Sequence, residues 1–253
     1  MGSSQQEPSI GRLCASATGF TTRPMAGETA SMSDDDATMN PKVEMEPKVE
    51  WLSVVGEVDT WRSLGLSVTD DGMISLVGTS IRLVADVADV ASESAGIVGW
   101  VLSGVDRATS EIDGLATEVI EPPTPTYANH QLRASGLDHV VVLTPDLERT
   151  SAEITAATGC ELKRIREVGT MRQGFHRIGR GGLIVELVER PELSDGPATF
   201  WGLVLIVDDL DAACDLIGPD RISAPKDAVQ PGRRIATIRA DVGLGLPVAL
   251  MTH

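Results

Sequence analysis

Aromatic residues and cysteines are scarce in this chain of 253 residues. Only 3% of the residues are Phe, Trp or Tyr, so aliphatic side chains must fill most of any core. Three cysteines, none in C-x-x-C spacing, are too few for a disulfide framework and favour a reducing, cytoplasmic location. The sequence contains no run of roughly eighteen apolar residues, which excludes a membrane-spanning helix.

Positive charge is also in short supply. The formal net charge of −16 argues against nucleic acids and anionic membrane surfaces as partners. Most of the lysines and arginines nevertheless follow residue 130. Two interpretations stay open for them: solvated faces, or a local anion-binding pocket in the last half of the chain.

Composition changes along the chain predict its organisation. Residues 1–48 are rich in Ser, Thr, Gly, Asp and Met, and they lack both apolar periodicity and the pattern of a signal peptide, so we expect a disordered tail. A shortened module pair is expected over 49–121 and a linker over 122–135, which begins with a stiff proline-rich stretch. His130 lies in this linker, where we expect it to be solvated. Residues 136–253 form the last predicted domain.

An internal repeat divides this last domain. The strand-like run that begins at His139 returns 63 residues later at Gly202, and the same offset relates the segments that begin at Gly182 and Gly245. Each copy is expected to be strand, helix, strand, strand, strand. The expected elements are strands Val140–Leu143 and Leu203–Val207, helices Leu147–Ala157 and Leu210–Ile217, and later strands Glu161–Val168, Met171–Ile178, Leu183–Val188, Arg221–Ser223, Arg234–Ala240 and Val248–Met251.

Helix-capping residues support this order. Thr144 is expected to cap the first helix, with Pro145 as its first residue, and Asp208-Asp209 to start the second. Gly159 and Gly218 are expected to end them.

The middle of the chain carries fainter copies of the same unit. The expected elements there are strands Trp51–Val55, Leu66–Val68, Met73–Leu76, Ile81–Val84 and Ala116–Ile120, a strand beginning at Gly96, and helices Val58–Leu64 and Val105–Ile112. The fold class predicted for the chain is therefore α+β with paired βαβββ modules, the second pair regular and the first shortened.

The unit pattern resembles the vicinal oxygen chelate (VOC) superfamily, which includes glyoxalase I, bleomycin-resistance proteins and extradiol dioxygenases. The resemblance rests on Gly136-Leu-Asp-His139-Val-Val-Val, on Leu183-Ile-Val-Glu186-Leu-Val and on Val207-Asp-Asp-Leu-Asp211. It implies a cleft in which a histidine and a glutamate bind a divalent metal. By this resemblance His139 and Glu186 are the metal ligands and the catalytic residues, and Zn, Fe, Mn or Ni is the implied metal.

The second copy departs from the family's ligand pattern. Gly202 stands where the resemblance implies a second histidine, and Ala249 stands where it implies a second glutamate. Three alternatives therefore stay open for His139 and Glu186: a metal site, a hydrogen-bonded buried pair, and direct contact with a ligand. Glu186 in an otherwise apolar strand is also a candidate acid or base.

Further residues are candidates for substrate binding. Arg172 and one of the adjacent pair Arg233-Arg234 could hold a carboxylate or phosphate, and we assign this role to Arg234. The others are His176, which alternation places on the face opposite Phe175, and the aromatic residues Phe175 and Trp201, for which core packing is the alternative.

These observations predict a glyoxalase-like VOC-domain protein that binds a small polar metabolite in the cleft of residues 136–253. If it is an enzyme, metal-assisted lyase, isomerase or dioxygenase chemistry is expected. The alternatives are a metal-free binding or sequestering protein of the resistance type, and a remnant that acts only through dimerisation. A homodimer is compatible with each of them.

Overall fold

The computed structural model describes residues 45–84, 96–169, 171–193 and 196–253. The predicted disordered tail lies outside the described residues, apart from its last four. Fourteen strands in the described part form two mixed sheets. No helix of the described part is long and apolar enough to cross a membrane.

The first sheet has the strand order β2-β3-β1-β4-β6-β5. Its strands β1 and β3 are parallel, as are β4 and β6, whereas β1 and β4 pair antiparallel at the centre. Two similar halves therefore meet along β1 and β4. The elements are β1 (Lys48–Val55), α1 (Val58–Arg62), β2 (Met73–Ile74), β3 (Ser80–Val84), β4 (Gly96–Ser103), β5 (Glu111–Ile112) and β6 (Leu115–Val119).

The second sheet repeats this arrangement with longer elements. Its strand order is β12-β13-β14-β11-β7-β10-β9-β8, with β7 antiparallel to β11 at the centre and parallel partners β10 and β14 outside them. The elements are β7 (Ala134–Thr144), α2 (Leu147–Thr158), β8 (Arg164–Val168), β9 (Met171–Arg177), β10 (Ile184–Glu189), β11 (Thr199–Val207), α3 (Leu210–Ile217), β12 (Lys226–Asp227), β13 (Arg234–Thr237) and β14 (Val248–Met251). The paired βαβββ architecture expected from the repeat is confirmed.

Local capping explains where the two longer helices begin and end. Asp146 Oδ1 accepts from the Arg149 amide and Asp209 Oδ1 accepts from the Ala212 amide, so each aspartate is the N-cap of its helix. Gly159 ends α2 in the left-handed region at φ 68°, where glycine carries no Cβ penalty. The prediction that Pro145 is the first helical residue was wrong by two positions, because the Asp146 side chain caps the helix.

The predicted helix Val105–Ile112 does not form. Gly104 adopts φ 71°, Asp106 Oδ1 accepts from the Ala108 amide, and the Asp106 carbonyl accepts from Thr109, which closes a turn in place of a helix. Strand β5 then pairs back onto β6. The predicted strands Leu66–Val68 and Arg221–Ser223 are also absent, apart from one isolated bridge from Ile222 to Ile238.

One core joins the two sheets. Helices α2 and α3 lie on one face of the second sheet and the first sheet packs on that same side, in a cluster of aliphatic side chains from all of them. The Trp100 and Phe200 rings cross this junction with centroids 5.5 Å apart and planes at 72°. His130 is buried there and not solvated, because its Nδ1 accepts from the Ser67 amide and its Nε2 lies 3.0 Å from the Ser75 carbonyl.

The opposite face of the second sheet, called the site face below, has its own apolar clusters. Alternation along the strands assigns residues to it, since neighbours in a strand point to opposite faces. Its buried apolar members are Val141, Val188, Val204, Ile235, Ala249 and Met251.

Candidate functional site

His139 and Glu186 converge on the site face. In the parallel pair β7–β10 the partner of His139 is Ile184 and the partner of Glu186 is Val141, so the two side chains lie on the same face one step apart. His139 Nε2 lies 3.4 Å from Glu186 Oε2. Their side chains are only 5% and 1% exposed, so the contact lies in surroundings nearly free of water.

A β-bulge brings a third residue into this group. Across the antiparallel pair β7–β11, Val204 pairs with His139 and Leu205 pairs with Leu137, which leaves Asp138 without a partner of its own. Asp138 therefore turns toward the side chain that follows it, and Asp138 Oδ2 accepts from His139 Nδ1 at 2.6 Å. Because the Nδ1 hydrogen is engaged, a neutral imidazole presents its Nε2 lone pair to Glu186.

Arg233 compensates the charge of Asp138. Its guanidinium nitrogen lies 2.8 Å from Asp138 Oδ1, and its Nε donates to the Thr252 carbonyl at 2.7 Å. A further guanidinium nitrogen donates to Gln230 Oε1. The turn that leads into β13 thus folds against the site face, where Ala228 packs on its apolar cluster.

The two carboxyl groups have opposite protonation behaviour. Burial raises the pKa of Glu186 to about 7, the nearby charge of Asp138 adds to this, and the charges of His139 and Arg166 oppose it. Burial also acts to raise the pKa of Asp138, but the hydrogen bond and charge of His139 together with Arg233 outweigh it and hold that pKa at about 2. Gln173 Nε2 donates to Glu186 Oε1 at 2.7 Å.

Arg172, His176 and Arg234 were assigned to substrate binding in the cleft, but they lie on the helix-covered face. Arg172 pairs with Glu148 of α2 and with Glu189, and Arg234 pairs with Asp211 of α3 at 2.6 Å. The physical reason is strand alternation, since residues an odd number of positions apart in a strand point to opposite faces. Arg172 lies three positions before Phe175, and Arg234 lies one position after Arg233, so both point away from the site face.

His176 lies on the same helix-covered face. Its Nε2 is 2.9 Å from Ser151 Oγ of α2 and its Nδ1 is 3.0 Å from the Cys160 carbonyl. The expected alternation along β9 is confirmed, and it turns His176 away from His139 and Glu186.

The two aromatic candidates lie on the site face. Phe175 pairs across the sheet with Glu186 and is buried, and the Arg164 guanidinium lies 5.8 Å from its ring centroid. Trp201 packs against both apolar clusters of this face. The structure thus brings His139, Glu186, Phe175 and Trp201 onto one face.

Sequence reasoning missed Asp138, Gln173 and Arg233. Gln173 could have been found, since alternation places it with Phe175. Strict alternation places Asp138 opposite His139, so only the bulge reveals its role. For the arginine pair, the sequence established that only one could reach the cleft, and tertiary packing selected Arg233.

Comparison with known structures places this fold. The chain is similar to a variant of 4-hydroxymandelate synthase from Streptomyces coelicolor, with 14% identity over 82% of this chain and 93% of that one, at a TM-score of 0.56. The two chains share a fold, and it is the paired-module fold that the resemblance to the vicinal oxygen chelate superfamily implied.

Smaller structures match about half of this VOC-fold chain. Methylmalonyl-CoA epimerase from Mycobacterium tuberculosis aligns over 47% of this chain and 89% of its own, with 19% identity and a TM-score of 0.40. The Streptomyces coelicolor methylmalonyl-CoA epimerase in complex with 2-nitronate-propionyl-CoA aligns over 47% of this chain and 94% of its own, with 20% identity and a TM-score of 0.39. No protein-family model and no curated protein matches the sequence.

The side chains present do not fit the divalent metal that the VOC fold implies. Asp138 contacts the Nδ1 side of the His139 ring and Glu186 faces its Nε2 side, so the two carboxylates cannot meet at one ion. Gly202 and Ala249 lie on the site face at the other two ligand positions and offer no donor atom. Within the described ranges, no group of three or more His, Cys, Asp or Glu side chains could hold a metal ion. A catalytic zinc needs about three protein ligands.

Proposed function

We propose that this chain is a metal-free small-molecule-binding protein of the VOC fold, which holds a small polar metabolite against His139 and Glu186. The observation that carries the proposal is the donor set. One imidazole and one carboxyl group face each other at 3.4 Å, and the two remaining ligand positions hold Gly202 and Ala249. Such a pair can offer a ligand one proton and one lone pair but cannot chelate a metal ion in the way the fold family does.

The polar surroundings support this role. Asp138 orients the imidazole and Arg233 neutralises Asp138, so the pair is held in one arrangement. Phe175 and Trp201 supply apolar and aromatic surface on the same face. A few fixed polar groups within apolar walls are typical of small-molecule sites.

Proton-transfer catalysis is the second candidate, and one geometric fact favours it. The chain Asp138–His139–Glu186 places an oriented imidazole next to a carboxyl group in a dry environment, which is the arrangement that general acid–base catalysis uses. An isomerase or lyase that moves a proton would need no donors beyond these. This candidate differs from the first only in turnover.

The wider setting of the function is part of the proposal. Free Cys160 and Cys214 suit a reducing cytoplasm, and the net charge of −16 disfavours nucleic acids and anionic membranes as partners. A homodimer remains a prediction from the sequence.

Metal titration tests the donor-set argument. Purified wild-type protein, His139→Gln and Glu186→Gln would be titrated by calorimetry with Zn²⁺, Mn²⁺, Ni²⁺ and, under anaerobic conditions, Fe²⁺. We expect no stoichiometric binding in any of the three proteins. One equivalent of metal bound by wild type and lost in both variants would overturn the metal-free proposal.

Ligand screening tests the binding role. Thermal stability would be measured against a panel of small hydroxy, keto and dicarboxylic acids, with wild type and Glu186→Gln compared. We expect a compound that stabilises wild type saturably and loses affinity at least tenfold in the variant. Conversion of that compound by wild type alone would favour the proton-transfer enzyme over the binding protein. Equal binding by both proteins would show that Glu186 does not contribute to the binding site.

A further inference from the structure

A cavity lies where the first sheet meets the second, next to the site face but outside the His139–Glu186 contact. Its volume is about 340 Å³, which suits a small metabolite. Its walls are the segment that leads into β1, the turn before β3, the ends of β7 and β11, and the hairpin that joins β9 to β10. Neither the repeat nor the VOC resemblance assigns a role to this junction.

Cations gather at this cavity in a chain that is otherwise strongly acidic. Lys48, Arg177 and Arg180 are among its lining residues. Lys48 Nζ is 2.5 Å from Glu50 Oε2, so its charge is already compensated. Neither arginine guanidinium lies within 4.0 Å of a carboxylate oxygen in the described part of the chain.

Two carboxylates also line this cavity. The charge of Asp138 is compensated by Arg233. Glu46 Oε1 accepts from the backbone amide of Arg180, which leaves its negative charge in place. The two arginines exceed that single charge, so the balance at the cavity is positive by one.

The hairpin is held by contacts within the chain. Gly179 and Gly181 adopt φ values of 75° and 69°. The Gly179 amide donates to Cys160 Sγ, the Arg180 amide donates to Glu46 Oε1, and the Gly182 amide donates to the Gly179 carbonyl. Arg177 steadies the hairpin by donating to the Gly182 carbonyl at 3.0 Å.

We propose that this cavity is a binding site for a small oxyanion, a carboxylate or phosphate group of a metabolite, held by the guanidinium groups of Arg177 and Arg180. A guanidinium fork matches both kinds of anion, because each presents two oxygens in the spacing of the paired N–H groups. The site is distinct from the His139–Glu186 contact and shares only Asp138 with its surroundings. Its existence does not depend on the function proposed above.

Calorimetry with defined anions tests this site on the full chain. Wild-type protein would be titrated with sodium phosphate and, separately, sodium malonate, each at ionic strength matched with sodium chloride. We expect one equivalent to bind saturably. Binding of phosphate alone, of malonate alone or of both supports the site and identifies the oxyanion that it prefers.

Charge-matched variants make the test specific. The double variant Arg177→Gln/Arg180→Gln should weaken binding at least tenfold, whereas Arg107→Gln/Arg239→Gln removes two positive charges that do not line the cavity and should leave affinity within twofold. Arg180→Gln alone alters an exposed side chain and should weaken binding in a folded protein even if the double variant is unstable. Glu186→Gln should bind the anion as wild type does, which separates this site from the one proposed above.

Two results would overturn the proposal. One is the absence of saturable binding of either anion to wild type. The other is an equal loss of affinity in the two double variants, since this would indicate a response to overall charge.

Discussion

Asp138 and His139 are neighbours in the chain whose side chains meet in a 2.6 Å hydrogen bond on one side of the sheet. In a regular strand they would point to opposite faces, but the bulge at Asp138 removes that constraint. The consequence is a buried chain of groups from Arg233 through Asp138 and His139 to Glu186. Each member limits the protonation or orientation of the next, which leads to the following predictions.

The first prediction concerns Glu186 and pH. Its pKa is about 7 in the folded protein, whereas an unfolded glutamate titrates near 4.5. The folded state therefore holds a proton that the unfolded state has lost, so this contribution to stability is full below pH 4.5 and is lost as pH rises through 7. The total is at most on the order of 3 kcal/mol.

Urea unfolding between pH 4.5 and 8 checks this. As pH rises through 7, wild type should lose free energy of unfolding relative to Glu186→Gln, because the amide does not titrate. Glu118→Gln, which changes an exposed carboxyl group on β6, should keep the wild-type slope. An unchanged slope in Glu186→Gln would contradict the assignment.

The second prediction compares two ion pairs. Asp138→Asn should lower the free energy of unfolding by about 3 kcal/mol, because it leaves the largely buried Arg233 guanidinium without its anion. Asp211→Asn removes the partner of Arg234, where the side chains are 66% and 41% exposed, and should cost less than about 1 kcal/mol. Chemical denaturation at pH 7 measures both. Equal losses in the free energy of unfolding would mean that the buried Asp138–Arg233 pair stabilises the fold no more than the exposed pair does.

The third prediction concerns His176. Burial lowers its pKa, the nearby charge of Lys163 adds to this, and the hydrogen bond with the Cys160 carbonyl opposes it. A lowered histidine pKa contributes stability that is present above about pH 6.5 and is lost as pH falls. His176→Gln should therefore reduce the loss of stability toward acid, a trend opposite in sign to that of Glu186→Gln.

The same variant also tests position. His176 lies on the helix-covered face, so His176→Gln should leave the titration of Glu186 unchanged when the carboxyl group is followed by difference infrared spectroscopy. A shift of that titration would place His176 in electrostatic contact with the site face.

The fourth prediction uses two glycines of one hairpin. Gly179 and Gly181 both have positive φ, but a Cβ at position 179 would lie 2.3 Å from the Pro47 carbonyl oxygen, whereas one at position 181 would meet nothing within 4 Å. Both alanine variants should lose about 1 kcal/mol through backbone strain. Gly179→Ala should lose about 2 kcal/mol more, since the chain before β1 must move. Thermal unfolding compares them, and equal losses would show that this contact yields easily.

Most helices and strands could be predicted from signals that lie within a few residues of each other. The bounds of α3 and β14 match the expectation because an aspartate cap, an apolar run and the repeat all act within a few residues. Where local signals competed, prediction failed. The segment after Gly104 has apolar spacing compatible with a helix, but the turn closed by Asp106 competes with it and prevails.

The candidate site was predictable only in part. The resemblance to the VOC superfamily implied the pairing of His139 with Glu186, and the parallel register of β7 and β10 places both on one face. The placement of Arg234 in the cleft was wrong, because it depended on which way a turn folds over the sheet. His176 and Arg172 illustrate the same limit, since alternation separates two faces without saying which one the helices cover.

The sequence by itself determined the duplicated βαβββ order, since periodicity and caps are properties of the chain, and it placed Gly202 and Ala249 where the resemblance implies further metal ligands. Tertiary structure alone decided that Asp138 turns toward His139 and that Arg233 reaches Asp138. It also placed an arginine-lined cavity at the junction of the two sheets. These outcomes depend on a bulge and on contacts between segments far apart in the chain, such as Glu46 with Arg180 across 134 positions, and no local pattern encodes such contacts.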